Sequence, residues 1–241
     1  MARSDFTTVR QLLRGMQRAN SHAENLQAFY APQARDYDRF RERLLQGRER
    51  LIELLRIGAG DRVVELGAGT GRVAAFYAER VPALASLTLV DLCPALLSKA
   101  RERSQAWPHT AVIEADATRY RPPWPVDKAY FSYALTMIPD WFLAIDNAVA
   151  MLQPGGVVGV VDFHVSRARP MPGGRRHSVF TRHFWPLWFA HDGVNVSSEH
   201  VPYLRSRLTT VHFEEGMTRV PWMPGFHVPY YVFVGRKRVA A

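Results

Sequence analysis

The chain has 241 residues, 47% of them hydrophobic and 22% charged, with a formal net charge of +9. Such a length and composition fit one folded domain with a sizeable core and exclude a disordered or collagen-like chain. Its single cysteine, Cys93, excludes an internal disulfide framework and suits a reducing cytoplasm. The charge is uneven: residues 1–56 carry net +4, residues 57–164 net −2, and residues 165–241 net +7. The basic flanks are expected to face an anionic partner, a phosphate backbone or an anionic lipid surface. Only Lys99, Lys128 and Lys237 are lysines, so a bias toward arginine would leave the same totals.

In chain order, the first segment holds Arg3, Arg10, Arg14 and Arg18 with no continuous apolar stretch, so no secretory signal is expected there. No segment approaches membrane-spanning length. Phe6, Val9, Leu12, Leu13 and Met16 recur at helical spacing and predict an amphipathic helix, whose apolar face meets either the domain or a membrane surface. Pro32 places a turn ahead of a long helix running through Ile57. Residues 1–56 thus read as an N-terminal helical extension and residues 57–241 as the main domain.

The main domain opens on Val63, Val64 and Leu66, a short apolar strand that runs into Gly67-Ala68-Gly69-Thr70-Gly71, after which Arg72 to Glu79 resumes with helix formers. The spacing is G-x-G-x-G with Arg72 following, not the G-x-G-x-x-G of a dinucleotide site. Glu65, at the end of the strand, would repel a pyrophosphate and suits a cationic amino group, which favours S-adenosylmethionine over NAD. Leu87 to Val90 predicts a second strand ending in Asp91, placed to grip ribose hydroxyls, with Leu92 beside it for adenine. Ala111 to Ala115 predicts a third, ending in Asp116. Any one acid could merely cap the helix that follows. Three acids at three successive strand ends, after one glycine turn, point to a cofactor.

The run Glu65-Leu66-Gly67-Ala68-Gly69-Thr70-Gly71-Arg72 resembles motif I of the class I methyltransferases. The resemblance implies an α/β fold: a Rossmann-like doubly wound sheet with an antiparallel last strand, an N-terminal helical lid and an aromatic insertion between strands five and six. It implies that Glu65, Gly67, Gly69, Gly71, Asp91, Leu92, Asp116 and Ala117 surround S-adenosylmethionine, with Tyr133 and Ala134 at its methionine end. Tyr30, Ala34, Tyr37 and Asp38 match the family's Y-x-x-x-A-x-x-Y-D lid segment, which gives Tyr30 and Tyr37 as residues folding over the cofactor. Their bland alternative is two aromatic core residues.

Further along, Arg121-Pro122-Pro123-Trp124 imitates the acid-or-amide, P-P, aromatic motif of amino-base methyltransferases, but it precedes the fourth strand, and Arg121 cannot accept the required hydrogen bonds. That strand, Lys128 to Tyr133, ends without N-P-P-Y, which counts against methylation of nucleic-acid bases. Pro154-Gly155-Gly156 turns into a fifth strand, Val157 to Val161, followed by Asp162-Phe163-His164 at the edge where open parallel sheets carry chemistry. A cap insertion is expected over about 165–205, with Gly173-Gly174-Arg175-Arg176-His177 and Phe184-Trp185-Pro186-Leu187-Trp188-Phe189. Large aromatics beside arginines are typical of interfacial segments and also of ordinary packing. A sixth strand, Leu208 to Phe213, a loop with Trp222, Pro224 and Phe226, and a seventh strand, Tyr230 to Val234, complete the sheet. With no H-E-x-x-H and no cysteine cluster, no metal site is expected, and His177, His183 and His191 read as scattered.

The runs at 162–167, 175–178, 184–194, 202–207 and 228–237 resemble, more narrowly, the BtaB-type N-methyltransferase component of betaine-lipid synthesis. That resemblance implies three successive methylations of the homoserine amine of diacylglyceryl-homoserine. It also implies a cytoplasmic enzyme peripheral at an anionic membrane surface, a lipid-biosynthetic partner enzyme and no nucleic-acid partner. The chemistry needs a neutral amine, so His164 and His191 are candidate proton acceptors. Tyr30, Tyr133, Trp185 and Trp188 offer faces for the methylated cation. Arg167, Arg175 and Arg176 are candidates for the substrate carboxylate. The rivals are a methyltransferase for another phospholipid headgroup or a soluble amine, a nucleic-acid methyltransferase or binder, and a NAD enzyme.

Overall fold

The computed structural model describes Glu24, Gln27 and residues 43–191, 193–221 and 225–238. The expected amphipathic helix at the start, the lid residues Tyr30 and Tyr37, and Trp222 and Pro224 lie outside the described residues.

Seven strands form one sheet in the order β3-β2-β1-β4-β5-β7-β6. They are β1 (Arg62–Leu66), β2 (Ser86–Asp91), β3 (Thr110–Glu114), β4 (Val126–Ser132), β5 (Leu152–Phe163), β6 (Leu208–Arg219) and β7 (His227–Lys237). The first five pair in parallel, and β7 runs antiparallel to both β5 and β6. Parallel strands need covered faces, hence the near-continuous apolar runs of β1, β2 and β5. The covering helices are α1 (Arg48–Leu55), α2 (Pro94–Ser104), α3 (Trp141–Met151), α4 (Val179–Ala190) and α5 (His200–Arg207). Two apolar clusters result, one on each face of the sheet. Gly159 of β5 lets α1 settle closely: a Cβ there would stand 2.8 Å from both Leu51 and Leu55.

Several sequence expectations shift. The segment expected as a regular helix over 72–79 is an irregular 3-10 stretch, Ala74–Ala83. It is kinked at Tyr77 (φ −128°, ψ 26°) and carries Pro82, which has no N–H to donate. The fourth strand ends at Ser132, because Tyr133 turns out of it with φ 54°, a conformation costing about 1–2 kcal/mol for a side chain with a Cβ. Strands five to seven all exceed their expected spans. β6 and β7 pair from Leu208↔Lys237 to Arg219↔His227, so their outer halves are held by each other and need no alternating apolar pattern to stay extended.

The insertion after β5 docks along this same edge. Phe163 stacks on Phe189 with ring centroids 5.1 Å apart, and Trp185, 2% exposed, lies 5.6 Å from Phe189. On the other face α5 packs on α3, where the Trp141 ring meets His200 at 4.8 Å and the Tyr203 hydroxyl donates to Asp146 at 2.8 Å.

Candidate active site

The ends of β1, β2, β3 and β4 open onto a cleft of about 360 Å³, within the range of small-molecule sites. Its floor is the glycine turn. Gly67 has φ 74° and approaches β4 so closely that a Cβ would lie 2.4 Å from that of Ala134. Gly69, by contrast, would place a Cβ only in ordinary contact with Leu96, so its backbone faces open cleft. Gly71 does not line the cleft. Its φ of 66° and the 3.1 Å approach of Leu89 show a packing role between the turn, β2 and α2. The N–H groups of Gly67 and Ala68 both donate to the Val90 carbonyl, at 2.8 and 2.9 Å. From α2, Arg103 donates to the carbonyl and the hydroxyl of Thr70.

The three acids occupy three distinct surroundings. Glu65 is 1% exposed and accepts from the Tyr130 hydroxyl at 2.9 Å, which itself lies 2.9 Å from the Tyr77 hydroxyl. Burial pushes its pKa up to about 8, opposed by the Tyr130 hydrogen bond and by the nearby Arg48 guanidinium. Burial thus biases Glu65 toward its neutral form, and a cation beside it would favour the anion. Asp91 uses one carboxylate oxygen to accept from Gly69 N–H at 2.8 Å and the other to accept from Cys93 N–H at 2.8 Å. The Leu92 N–H also donates to Asp91, and a carboxylate has about four acceptor sites, so about one remains for a ribose hydroxyl. Asp116 accepts from the backbone and hydroxyl of Thr118, both at 2.8 Å through Oδ1, and its other oxygen carries no such bond. Leu92, Ala117 and Ala134 line the cleft among them.

Sequence reasoning missed Arg48. It stands at the first turn of α1, is 8% exposed, donates from Nε to the Leu45 carbonyl at 3.0 Å and lines the cleft beside Glu65. A guanidinium there suits the carboxylate of an amino-acid moiety whose ammonium meets Glu65. Nothing in an R-x-x-L-I-x-x-L helix announces this role, since the arginine reaches the cleft through tertiary packing. Thr70, Arg72, Ser132 and Met137 also line the cleft without having been anticipated.

Tyr133 lines the cleft, but its hydroxyl donates to the Gln46 carbonyl at 2.6 Å. Burial pushes its pKa well above the ordinary phenol value, so it is no proton acceptor. Its ring, 4.6 Å from that of Phe163, is what it offers a substrate.

The two histidines expected as proton acceptors lie elsewhere. His191 is exposed at the C-terminal cap of α4. His164 is on the opposite face of β5 from Phe163, 5% exposed, with Nε2 3.1 Å from Glu215 Oε1 of β6. The substrate arginines also stand away from the cleft lining. Arg167 is held by both carboxylate oxygens of Glu199, while Arg175 and Arg176 are exposed. Trp185 is core, not surface, and Trp188 is 39% exposed.

One cluster was not foreseen. His164, His177 and Glu215 each bring a possible ligand atom within 4.8 Å of the others. However, Ser166 N–H donates to His177 Nδ1 at 3.0 Å, so neutral His177 carries its proton on Nε2 and has no lone pair there for a metal. As arranged, the cluster ties the insertion to β6. Asp162, also buried, is pushed up to about 7 by burial and accepts from Thr136 N–H and hydroxyl, pinning the turn after β4 onto β5.

Residues 63–156 match a family described as a methyltransferase domain. Trans-aconitate 2-methyltransferase of Enterobacter sp. (strain 638) is 35% identical over 98 residues, which are 41% of this chain and 37% of that protein. The match thus spans little more than a third of the curated relative. The N-methyltransferase NodS from Bradyrhizobium japonicum WM9, solved with S-adenosyl-L-homocysteine, superposes with TM-score 0.61 at 20% identity, covering 98% of this chain and 99% of that one. An N-methyltransferase of Haemonchus contortus, solved with phosphomonomethylethanolamine and S-adenosylhomocysteine, superposes with TM-score 0.68 at 13% identity, covering 91% and 60%. The cleft fits S-adenosylmethionine on its own chemistry: a buried acid for an ammonium, an arginine for a carboxylate, a spare acceptor on Asp91, and an open backbone at Gly69. The architecture is that of the class I methyltransferase fold.

Proposed function

We propose that the chain is an S-adenosylmethionine-dependent N-methyltransferase that acts on the amine of a lipid headgroup, narrowly the homoserine amine of diacylglyceryl-homoserine, in up to three successive transfers. The observation that carries the lipid part is a continuous series of aromatic contacts leading from the cleft into the insertion. Tyr133 meets Phe163 at 4.6 Å, Phe163 meets Phe189 at 5.1 Å, Phe189 meets Trp185 at 5.6 Å, and Trp185 meets Phe184 at 5.0 Å. The likeness to two N-methyltransferases, NodS and the Haemonchus enzyme, supports nitrogen as the acceptor.

When bound, the cofactor supplies an electrophilic methyl group on a sulfonium. Glu65 and Arg48 would hold its amino-acid end, Asp91 its ribose and Asp116 its adenine. Alignment is what the chain contributes to a direct displacement, and positioning of this kind can lower a barrier by about 7–11 kcal/mol. The Tyr133 ring, its hydroxyl tied back to Gln46, presents a fixed face to an ammonium that loses a hydrogen-bond donor with every methyl gained. Among the carboxylates that line the cleft, Asp140 alone is exposed, and it takes the place of His164 and His191 as the group beside which the amine sheds its proton.

The test is transfer from labelled S-adenosylmethionine to vesicles containing diacylglyceryl-homoserine, with vesicles lacking it, soluble homoserine, trans-aconitate and total RNA alongside. Lipid products with one, two and three added methyl groups are expected. Label in soluble homoserine, trans-aconitate or RNA, with none in the lipid, would overturn the reading.

A further inference from the structure

Helix α4 carries large apolar side chains toward the core and away from it, and among the described residues only the first set is covered. Trp185 and Phe189 point inward at 2% and 8% exposure. On the outer side Phe180 is 59% exposed, Leu187 79% and Trp188 39%, at spacings of three and four from Phe184 that place them along one side of the helix, with Val179 63% exposed at the start. Thr181, Arg182 and His183 take up the rest of the helix surface, and an apolar stripe left this open calls for an occupant. Its surroundings say which. Residues 165–190 contain five arginines and no acid, and Arg169, Arg175 and Arg176 in the loop leading into α4 are exposed. An apolar stripe carrying tryptophan and flanked by arginines matches the acyl-headgroup boundary of an anionic bilayer. Among the described residues no helix is long and apolar enough to cross a membrane, so α4 would lie along the surface.

We infer that the outer face of α4, with the arginine loop before it, is a docking surface for anionic membranes. Phe184 ties this face to the interior: its ring is 4.8 Å from Phe180, 5.7 Å from Trp188 and 5.0 Å from Trp185. Docking here sets the aromatic path to the cleft against the lipid, so that an amphiphile reaches Tyr133 without leaving the membrane. The inference rests on the lipid-amine reading for what docking achieves, while the face itself is a property of α4.

The test is co-sedimentation of the full chain with phosphatidylcholine vesicles, with and without phosphatidylglycerol, for the parent, Leu187→Glu and the double variant Arg175→Glu/Arg176→Glu. Both variants alter exposed side chains outside the cleft, and unchanged S-adenosylmethionine affinity shows that they fold. The parent is expected to prefer the anionic vesicles, and each variant to lose about tenfold or more of that binding. Two results would overturn the proposal: Leu187→Glu binding like the parent, or a parent that ignores vesicles and forms a dimer that Leu187→Glu dissociates. Vesicle binding that both variants abolish, together with no methyl transfer to lipid, would sustain the docking face and sink the substrate reading.

Discussion

The two halves of the sheet are built by different means. On the β3-β2-β1 side, short strands end in a glycine turn and three acids, and the cleft is shaped by backbone groups and by carboxylates that hold them. On the β5-β7-β6 side, long strands and an insertion are joined by aromatic rings and by polar pairs such as His164 with Glu215, which are 51 positions apart. The first half is made for one ligand geometry. The second is made by packing, and its chemistry lies in which apolar surface it covers and which it leaves open. Substitutions should therefore separate the halves: changes in the first should cost cofactor binding, changes in the second should cost stability or membrane contact.

The largest effect belongs to Trp185→Ala. A fully packed tryptophan lost to alanine costs about 3–5 kcal/mol, to be read as a fall in thermal or denaturant midpoint. Cofactor affinity of the folded fraction should hold, since the site does not touch Trp185. An equal loss of affinity would mean that the halves are one unit. Next comes Gly67→Ala, which combines a left-handed backbone with a 2.4 Å approach to Ala134, together about 2–4 kcal/mol. Here calorimetry with S-adenosylmethionine should detect little or no binding even where the variant still folds. Asp91→Asn keeps the shape and removes the charge from a hydrogen-bonded acceptor, so cofactor affinity should fall by about 1.5–3 kcal/mol, or roughly 10- to 100-fold, in the same titration.

A smaller, pH-dependent effect sharpens the comparison. Glu65 has a folded-state pKa of about 8 against an ordinary 4.5, so folding favours its neutral form. Any stability tied to that form is full below pH 4.5 and declines as pH rises toward 8. Glu65→Gln, which stays neutral, should lose less stability than the parent across that window, in melts run without ligand, while binding the cofactor more weakly. Parallel stability curves for the two proteins would contradict the burial of an ionisable Glu65. The smallest effect should come from Tyr130→Phe, which removes one donor to Glu65, about 0.5–1.5 kcal/mol, and drives its pKa further up.

Legibility followed the same division. The glycine turn, Glu65, Asp91 and Asp116 could be read because local geometry dictates residue type there: a positive φ wants glycine, and a strand end facing a ligand wants a specific acceptor. All seven strands were located by pattern, the last three shorter than they are, and the antiparallel last strand followed from the family resemblance. What could not be read depends on partners distant in sequence. Arg48 enters the cleft because α1 packs over β5 at Gly159. His164 looked like a strand-end catalytic group, yet its side chain alternates to the face opposite Phe163 and finds Glu215 on the half of β6 that carried no apolar alternation. Trp185 and Trp188, three positions apart, looked alike in sequence and were divided by the helix between core and surface. Gly71 looked like part of the cradle and instead lets α2 approach β2.

Cofactor binding here turns on Glu65 receiving an ammonium. The most direct measurement is calorimetric titration of the full chain with S-adenosylmethionine near pH 7, in two buffers of different ionisation enthalpy, with NADH as the comparison ligand. The expected result is binding of S-adenosylmethionine with release of close to one proton, abolished in Glu65→Gln, and no binding of NADH. Binding of NADH, or S-adenosylmethionine binding with no proton released, would contradict it.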